Sequence, residues 1–132
     1  MKFLLDTDTC IYALKQKPVV LGHLLDKAPV DVAVSAITEA GLRTGAARSS
    51  SPTRTLRAVE NFLRPIAIVD FTSDDAVSYA RIRARLERAG KPIGPLDTLI
   101  AAQAVSRKLV LVSNNEREFK RVPGLELENW SR

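Results

Sequence analysis

Cysteine and histidine occur once each, as Cys10 and His23, in a chain of 132 residues. A single cysteine excludes an internal disulfide framework. One of each also excludes the Cys/His sets that hold zinc, and makes imidazole-based catalysis a poor fit. Aromatic residues are scarce too, one Trp, two Tyr and four Phe, so there are few platforms on which a base could stack. No stretch approaches the length of a membrane span, and the run Phe3-Leu4-Leu5 after Lys2 is too short for a signal-peptide core. The expected location is therefore cytoplasmic. Where a nucleotide-binding α/β domain would place a glycine-rich phosphate loop after its first strand, this chain has Asp6-Thr7-Asp8, which argues against that class. Chemistry must rest on carboxylates and hydroxyls.

What is present is an uneven charge distribution. The formal net charge is +5, and residues 43–91 hold ten Lys or Arg against five acids, enough to supply the whole excess. Arginines over an amphipathic helix are most often a solvated face. Beside carboxylates that can hold a hard cation, the same arginines suit a protein that grips phosphates and cuts between them. Asp6 closes the first apolar run, and Asp97 opens the nearly all-apolar run 96–105. A carboxylate at a buried strand end or helix start needs something to offset its desolvation, and Mg²⁺ does so while creating a hydrolytic site. Each acid also has a structural reading. Asp6 or Asp8 suits a helix cap, Asp97 a first helical turn, Asn115 a strand-to-helix turn, and Glu116 and Glu118 the first turn of a short helix.

The periodicity predicts strands over Lys2–Leu5, Val30–Val34, Ile66–Val69, Val110–Val112 and Leu125–Leu127. Helices are predicted over Thr7–Lys15, Pro18–Lys27, Ser35 to Thr44 with Gly45 as its stop, Thr53–Leu63, Thr72 to Ala89 and 96–107. Residues 45–53 read as a loop, and Thr72 with Asp75 as a capping-box variant. Strands separated by helices imply a parallel arrangement: an α/β fold, three layers α/β/α with a short, mainly parallel sheet, forming one domain over residues 1–132. Ligand sites in such sheets gather outside the carboxyl ends of strands, where Asp6 and Asn115 fall, and Asp97 begins a helix leading into a strand. Cys10 reads as a small buried hydrophobe, His23 as a boundary residue without a role, and Trp130 as an anchor for the tail.

Three blocks carry a family resemblance: Leu4-Leu5-Asp6-Thr7-Asp8-Thr9-Cys10-Ile11-Tyr12, Gly94-Pro95-Leu96-Asp97-Thr98-Leu99-Ile100-Ala101-Ala102, and Val112-Ser113-Asn114-Asn115-Glu116-Arg117-Glu118-Phe119. With Ser35-Ala36-Ile37-Thr38-Glu39-Ala40 and the tail Glu128-Asn129-Trp130, they resemble the PIN-domain ribonucleases, and most closely the VapC toxins, in order and spacing along the whole chain. The resemblance implies a PIN-like fold and a Mg²⁺- or Mn²⁺-dependent endoribonuclease toxin of a type II toxin-antitoxin system. Such a toxin cuts RNA, often a particular transfer RNA, to leave 5′-phosphate and 3′-hydroxyl ends. It also implies a homodimer restrained by a cognate VapB-like antitoxin, with operator DNA contacted only through that antitoxin and no role for membranes. Carried onto this chain, Asp6 and Asp97 match the metal-holding aspartates, and Asn115 and Glu118 lie where the remaining ligand of the site arises.

One position departs from the pattern. The helix after Ser35 in the family reads Thr-Glu-Ala-Glu-Leu, and its second Glu supplies a carboxylate to the site, whereas this chain has Thr38-Glu39-Ala40-Gly41-Leu42. Glu39 is a poor substitute, because two residues along a helix rotate by about 200°. Glycine also costs about 1 kcal/mol relative to alanine within a helix, so local stability gives no reason for it. The expectation is a form that binds metal weakly and cleaves RNA poorly while still binding its antitoxin. The alternative is a non-catalytic PIN domain that acts as an antitoxin-binding co-repressor.

Overall fold

A computed structural model describes residues 1–132. Five short strands form one sheet: β1 (Phe3–Leu5), β2 (Val32–Ser35), β3 (Ala67–Val69), β4 (Val110–Val112) and β5 (Leu127–Glu128). Their order is β3-β2-β1-β4-β5, and every pairing is parallel. Seven helices connect and cover them: α1 (Thr7–Leu14), α2 (Pro18–Leu25), α3 (Ala36–Arg48), α4 (Pro52–Leu63), α5 (Ser73–Arg88), α6 (Pro95–Arg107) and α7 (Glu116–Phe119). This is the expected three-layer α/β/α architecture.

Strand alternation explains the layers. In register, Leu4 pairs with Ala33 and Leu111, while Leu5 pairs with Val34 and Val112. Successive side chains leave opposite faces of a sheet, so these two rows belong to different cores. The Leu4 row packs with Ile82 and Leu86 of α5 and with Ile100, Ala101 and Ala104 of α6. The Leu5 row packs with Cys10 of α1, Leu42 and Ala46 of α3, and Val59 and Leu63 of α4. Each fully buried aliphatic side chain contributes about 1.5–3 kcal/mol, which is why three-residue strands suffice.

Several element ends differ from expectation. α3 does not stop at Gly45 but continues to Arg48, because Leu42 and Ala46, both buried, anchor the helix on either side of the glycine. That burial outweighs a propensity deficit of about 1 kcal/mol. The loop before α4 shrinks accordingly, and α4 begins at Pro52, the favoured first helical position for proline. Val30 lies in a 3₁₀ turn and is 75% exposed, so β2 begins only at Val32. The last strand falls at Leu127–Glu128 rather than 125–127. Ala89 is exposed and follows α5 as its C-cap. The Thr72/Asp75 capping box forms as read, with the Thr72 amide donating to Asp75 Oδ2 at 2.9 Å.

The tail is held by Trp130, 2% exposed, whose ring meets Phe3 edge-on with centroids 5.3 Å apart. Its indole N–H donates to Glu128 Oε1, and His23 stacks on its other side. No helix is long and apolar enough to cross a membrane.

Candidate active site at the carboxyl edge of the sheet

From β1 the chain first moves outward through β2 and β3 and then returns to the other side of β1 as β4 and β5. The crevice past the carboxyl ends of β1 and β4 is thus the point where the winding reverses, the usual place for a ligand in an open parallel sheet. Asp6 directly follows β1, and Ser113 directly follows β4.

Asp6 is 4% exposed and caps α1, accepting from the Thr9 amide at 2.8 Å. Thr9 in turn donates its hydroxyl to the Val112 carbonyl at 3.1 Å, and the Asp6 amide donates to the same carbonyl, fixing the start of α1 to the end of β4. The cap reading and the site reading of Asp6 therefore hold together. Burial pushes the Asp6 carboxyl above its ordinary range, against hydrogen bonds from Ser113 and Thr9 that pull it down. Asp97 sits in the first turn of α6, where the helix dipole favours a negative charge. Burial, then the carboxylates of Asp6, Glu118 and Asp8, nevertheless raise it. Acids from three separate stretches of the chain, 6–8, 97 and 118, are thus close enough for Asp97 to feel the charge of the others.

Asn115 caps the short helix α7 and donates from its amide group to Glu118 Oε2 at 3.1 Å, so the two residues form one polar unit. The Asn115 backbone N–H donates to Ser113 Oγ, which joins this unit to the end of β4. Sequence reasoning nominated Asp6, Asp97, Asn115 and Glu118, and all four border this crevice. It weighed Asp8 only as a cap and passed over Ser113 and Thr9. Asp8 was legible as an acid two residues beyond the strand, whereas Ser113 matters only through its contacts.

No three carboxylates stand close enough together to form a finished ligand group. Mg²⁺ and Mn²⁺ do not require one, since such ions take one or two protein carboxylates and complete their shell with water and substrate oxygens. All donors here are oxygen, and the raised Asp6 and Asp97 are carboxylates whose charge lacks a cation within the chain. The residues fit a hard divalent ion. Cys10 does not compete as ligand or nucleophile: it is fully buried, and burial, then the Asp6 charge, push its thiol well up. Glu39 pairs with Arg43 at 3.0 Å, turned to other work. Gly41 lies on α3 beside α1, where an added Cβ would stand 3.6 Å from the Thr7 methyl, an ordinary contact.

The PIN-domain family model matches residues 3–125. The chain belongs to the PIN-domain family. This PIN domain is 42% identical over 130 residues to the tRNA(fMet)-specific endonuclease VapC of Salmonella typhimurium, covering 98% of both chains. Its fold superposes on VapC in DNA-bound VapBC from Salmonella typhimurium with a TM-score of 0.94 at 41% identity, covering 98% of each chain. It superposes on VapBC2 from Rickettsia felis, bound to a promoter DNA fragment, with a TM-score of 0.93 at 35% identity over 98% of this chain and 99% of that one. The fold, the VapC-type family and the endoribonuclease class expected from the sequence are met.

Proposed function

We propose that this PIN domain, acting as one unit over residues 1–132, is a cytoplasmic toxin of a VapBC-like pair that hydrolyses RNA at the crevice of Asp6, Asp97, Asn115 and Glu118. A transfer RNA is the proposed substrate, because a 42% identical relative is named for one. The reading is carried by the convergence of acids from three parts of the chain at the switch point of the sheet, where Asp6 ends β1 and Asp97, raised first by burial, also feels Asp6, Glu118 and Asp8. Asp6 and Asp97 would hold Mg²⁺ or Mn²⁺. Such an ion supplies Lewis-acid polarisation of a phosphate and an acidified water, so no protein nucleophile is needed. The chain's own part is positional. The Thr9 amide and the Ser113 hydroxyl aim Asp6, the first turn of α6 presents Asp97, and Asn115 orients Glu118. Chelation should abolish cleavage of RNA and Asp97→Asn should mimic it; activity that survives both refutes the reading.

The proposed partners from the same likeness are a VapB-like antitoxin and operator DNA through that antitoxin. A second copy of this chain in a homodimer is the partner the family resemblance implies. Gly41 supports an impaired form. A glutamate there would start beside Thr7, the residue after Asp6, without a clash, so Gly41→Glu should raise cleavage about tenfold or more. An unchanged rate would make the missing carboxylate irrelevant. Gly41 also favours the second reading, a non-catalytic co-repressor that binds antitoxin; operator repression with no RNA cleavage at any metal concentration distinguishes it.

A further inference from the structure

The arginine-rich middle of the sequence is divided by the sheet. Arg43, Arg48, Arg54 and Arg57 ride on α3 and α4, and Arg64 follows α4 as its C-cap, all on the Leu5 side, whereas Arg81, Arg83, Arg85 and Arg88 ride on α5, on the Leu4 side. Sequence composition treats them as one region; the fold presents two.

On the α5 side the basic groups line clefts. One, of about 330 Å³, is bordered by Arg85, Lys91, Lys120 and Arg121 over Leu86. The next, of about 300 Å³, shares Arg85 and adds Arg81 over Ile82 and Val105. No acidic residue lines either cleft. Four other arginines are paired, Arg43 with Glu39, Arg83 with Glu87, Arg107 with Asp75 and Arg132 with Glu116, and Arg48, Arg54, Arg57 and Arg64 are unpaired. What distinguishes the α5 side is that its unpaired cations converge on acid-free clefts. The five cleft cations form no salt bridge, although Arg121 donates to the Pro92 carbonyl at 3.1 Å.

That last bond also joins this surface to the site. Lys120 and Arg121 follow α7, which carries Glu118, and Lys91 and Pro92 lie in the segment leading to α6, which carries Asp97. A crevice of acids repels a polyanion, and a cationic surface fixed to both of its walls offsets that repulsion. The clefts contain no aromatic residue, so they suit phosphates rather than bases and would add affinity without reading sequence.

We propose that Arg81, Arg85, Lys91, Lys120 and Arg121 hold the phosphate backbone of RNA flanking the bond that is cut. This rests on the reading of the crevice as a ribonuclease site. The test replaces Arg85, Lys91 and Lys120 together by Gln and compares them with a charge-matched Arg54→Gln, Arg57→Gln, Arg64→Gln protein. Binding of a fluorescent mixed-sequence single-stranded RNA is followed by anisotropy in EDTA, at several salt concentrations. The first triple variant should bind about tenfold or more weakly, with a salt dependence shallower by roughly 2 in log–log slope, and the control should lose less than about threefold. Equal losses in both proteins, unaltered binding by the first, or no RNA binding by the wild type overturns the proposal. So does a loss confined to duplex DNA with RNA binding intact. Because these measurements involve no cleavage, they separate two failures. A chain that cuts no RNA with any metal but shows the site-specific binding loss refutes the proposed reaction and retains the surface. A first triple variant that cuts RNA with wild-type KM refutes the surface alone.

Discussion

Two buried carboxylates in this protein are treated in opposite ways. Asp75, fully buried, caps α5 and faces Arg107, whose guanidinium stands 3.2 Å away and also donates to the Asp70 carbonyl. Burial alone would raise its carboxyl, but the Thr72 amide, Arg107 and Ser106 bring it below the ordinary range. Asp6, almost as buried, has hydrogen bonds but no cation, and its carboxyl is raised. A buried acid whose charge is balanced by a cation of its own chain is a structural fastener. One whose charge is left uncompensated marks a place where something from outside belongs.

The widest separation between the two should come from single substitutions. Asp97→Asn should lower RNA cleavage by about a hundredfold or more with the fold intact, read by end-labelled RNA and circular dichroism. A variant that cuts normally would place Asp97 among the fasteners. Arg107→Met should have the converse profile: it leaves Asp75 buried without its cation, at a cost of roughly 2–3 kcal/mol in urea unfolding, discounted because Arg107 is partly exposed. Stability within a few tenths of a kcal/mol of wild type would remove the contrast. Next in size, Asn115→Ala frees Glu118 and should slow cleavage by roughly tenfold without a stability change of more than about 0.5 kcal/mol.

The smallest expected effect is thermodynamic. Asp6 and Asp97, raised in the folded state, bind protons more tightly folded than unfolded. Metal-free protein should therefore lose stability as pH climbs above about 4, the ordinary carboxylate value, toward neutrality. Asp75 works with the opposite sign, since its lowered pKa gives stability that is present above that value and lost on further acidification. Asp97→Asn should raise metal-free stability at neutral pH only slightly, by less than about 0.5 kcal/mol, because solvent screens the repulsion at this half-exposed acid and its favourable interaction with the helix dipole is lost with it. Mg²⁺ should narrow the gap between the two proteins. A destabilised Asp97→Asn would contradict the charge repulsion inferred at the crevice.

The legible part of this molecule was what repeats locally. The apolar runs of the strands, the Thr72/Asp75 capping box and the acids at element ends are all written in runs of a few residues. Gly45 misled because a propensity rule cannot weigh the burial of its neighbours Leu42 and Ala46. The Asp75–Arg107 pair lay beyond reach for another reason: its members are 32 positions apart, and only the packing of α5 on α6 brings them together. Lys120 and Arg121 were invisible as part of a basic surface, because a charge count along the chain assigns them to a different third from Arg85.

Cys10 gives the molecule a built-in reporter. It is the sole thiol, completely shielded and close enough to Asp6 to feel its charge. A thiol reagent can reach it only when the first helix lifts from the sheet, so the speed of labelling measures how often the crevice's own wall breathes, and slower labelling in the presence of a divalent ion would time that ion's arrival without any RNA at all.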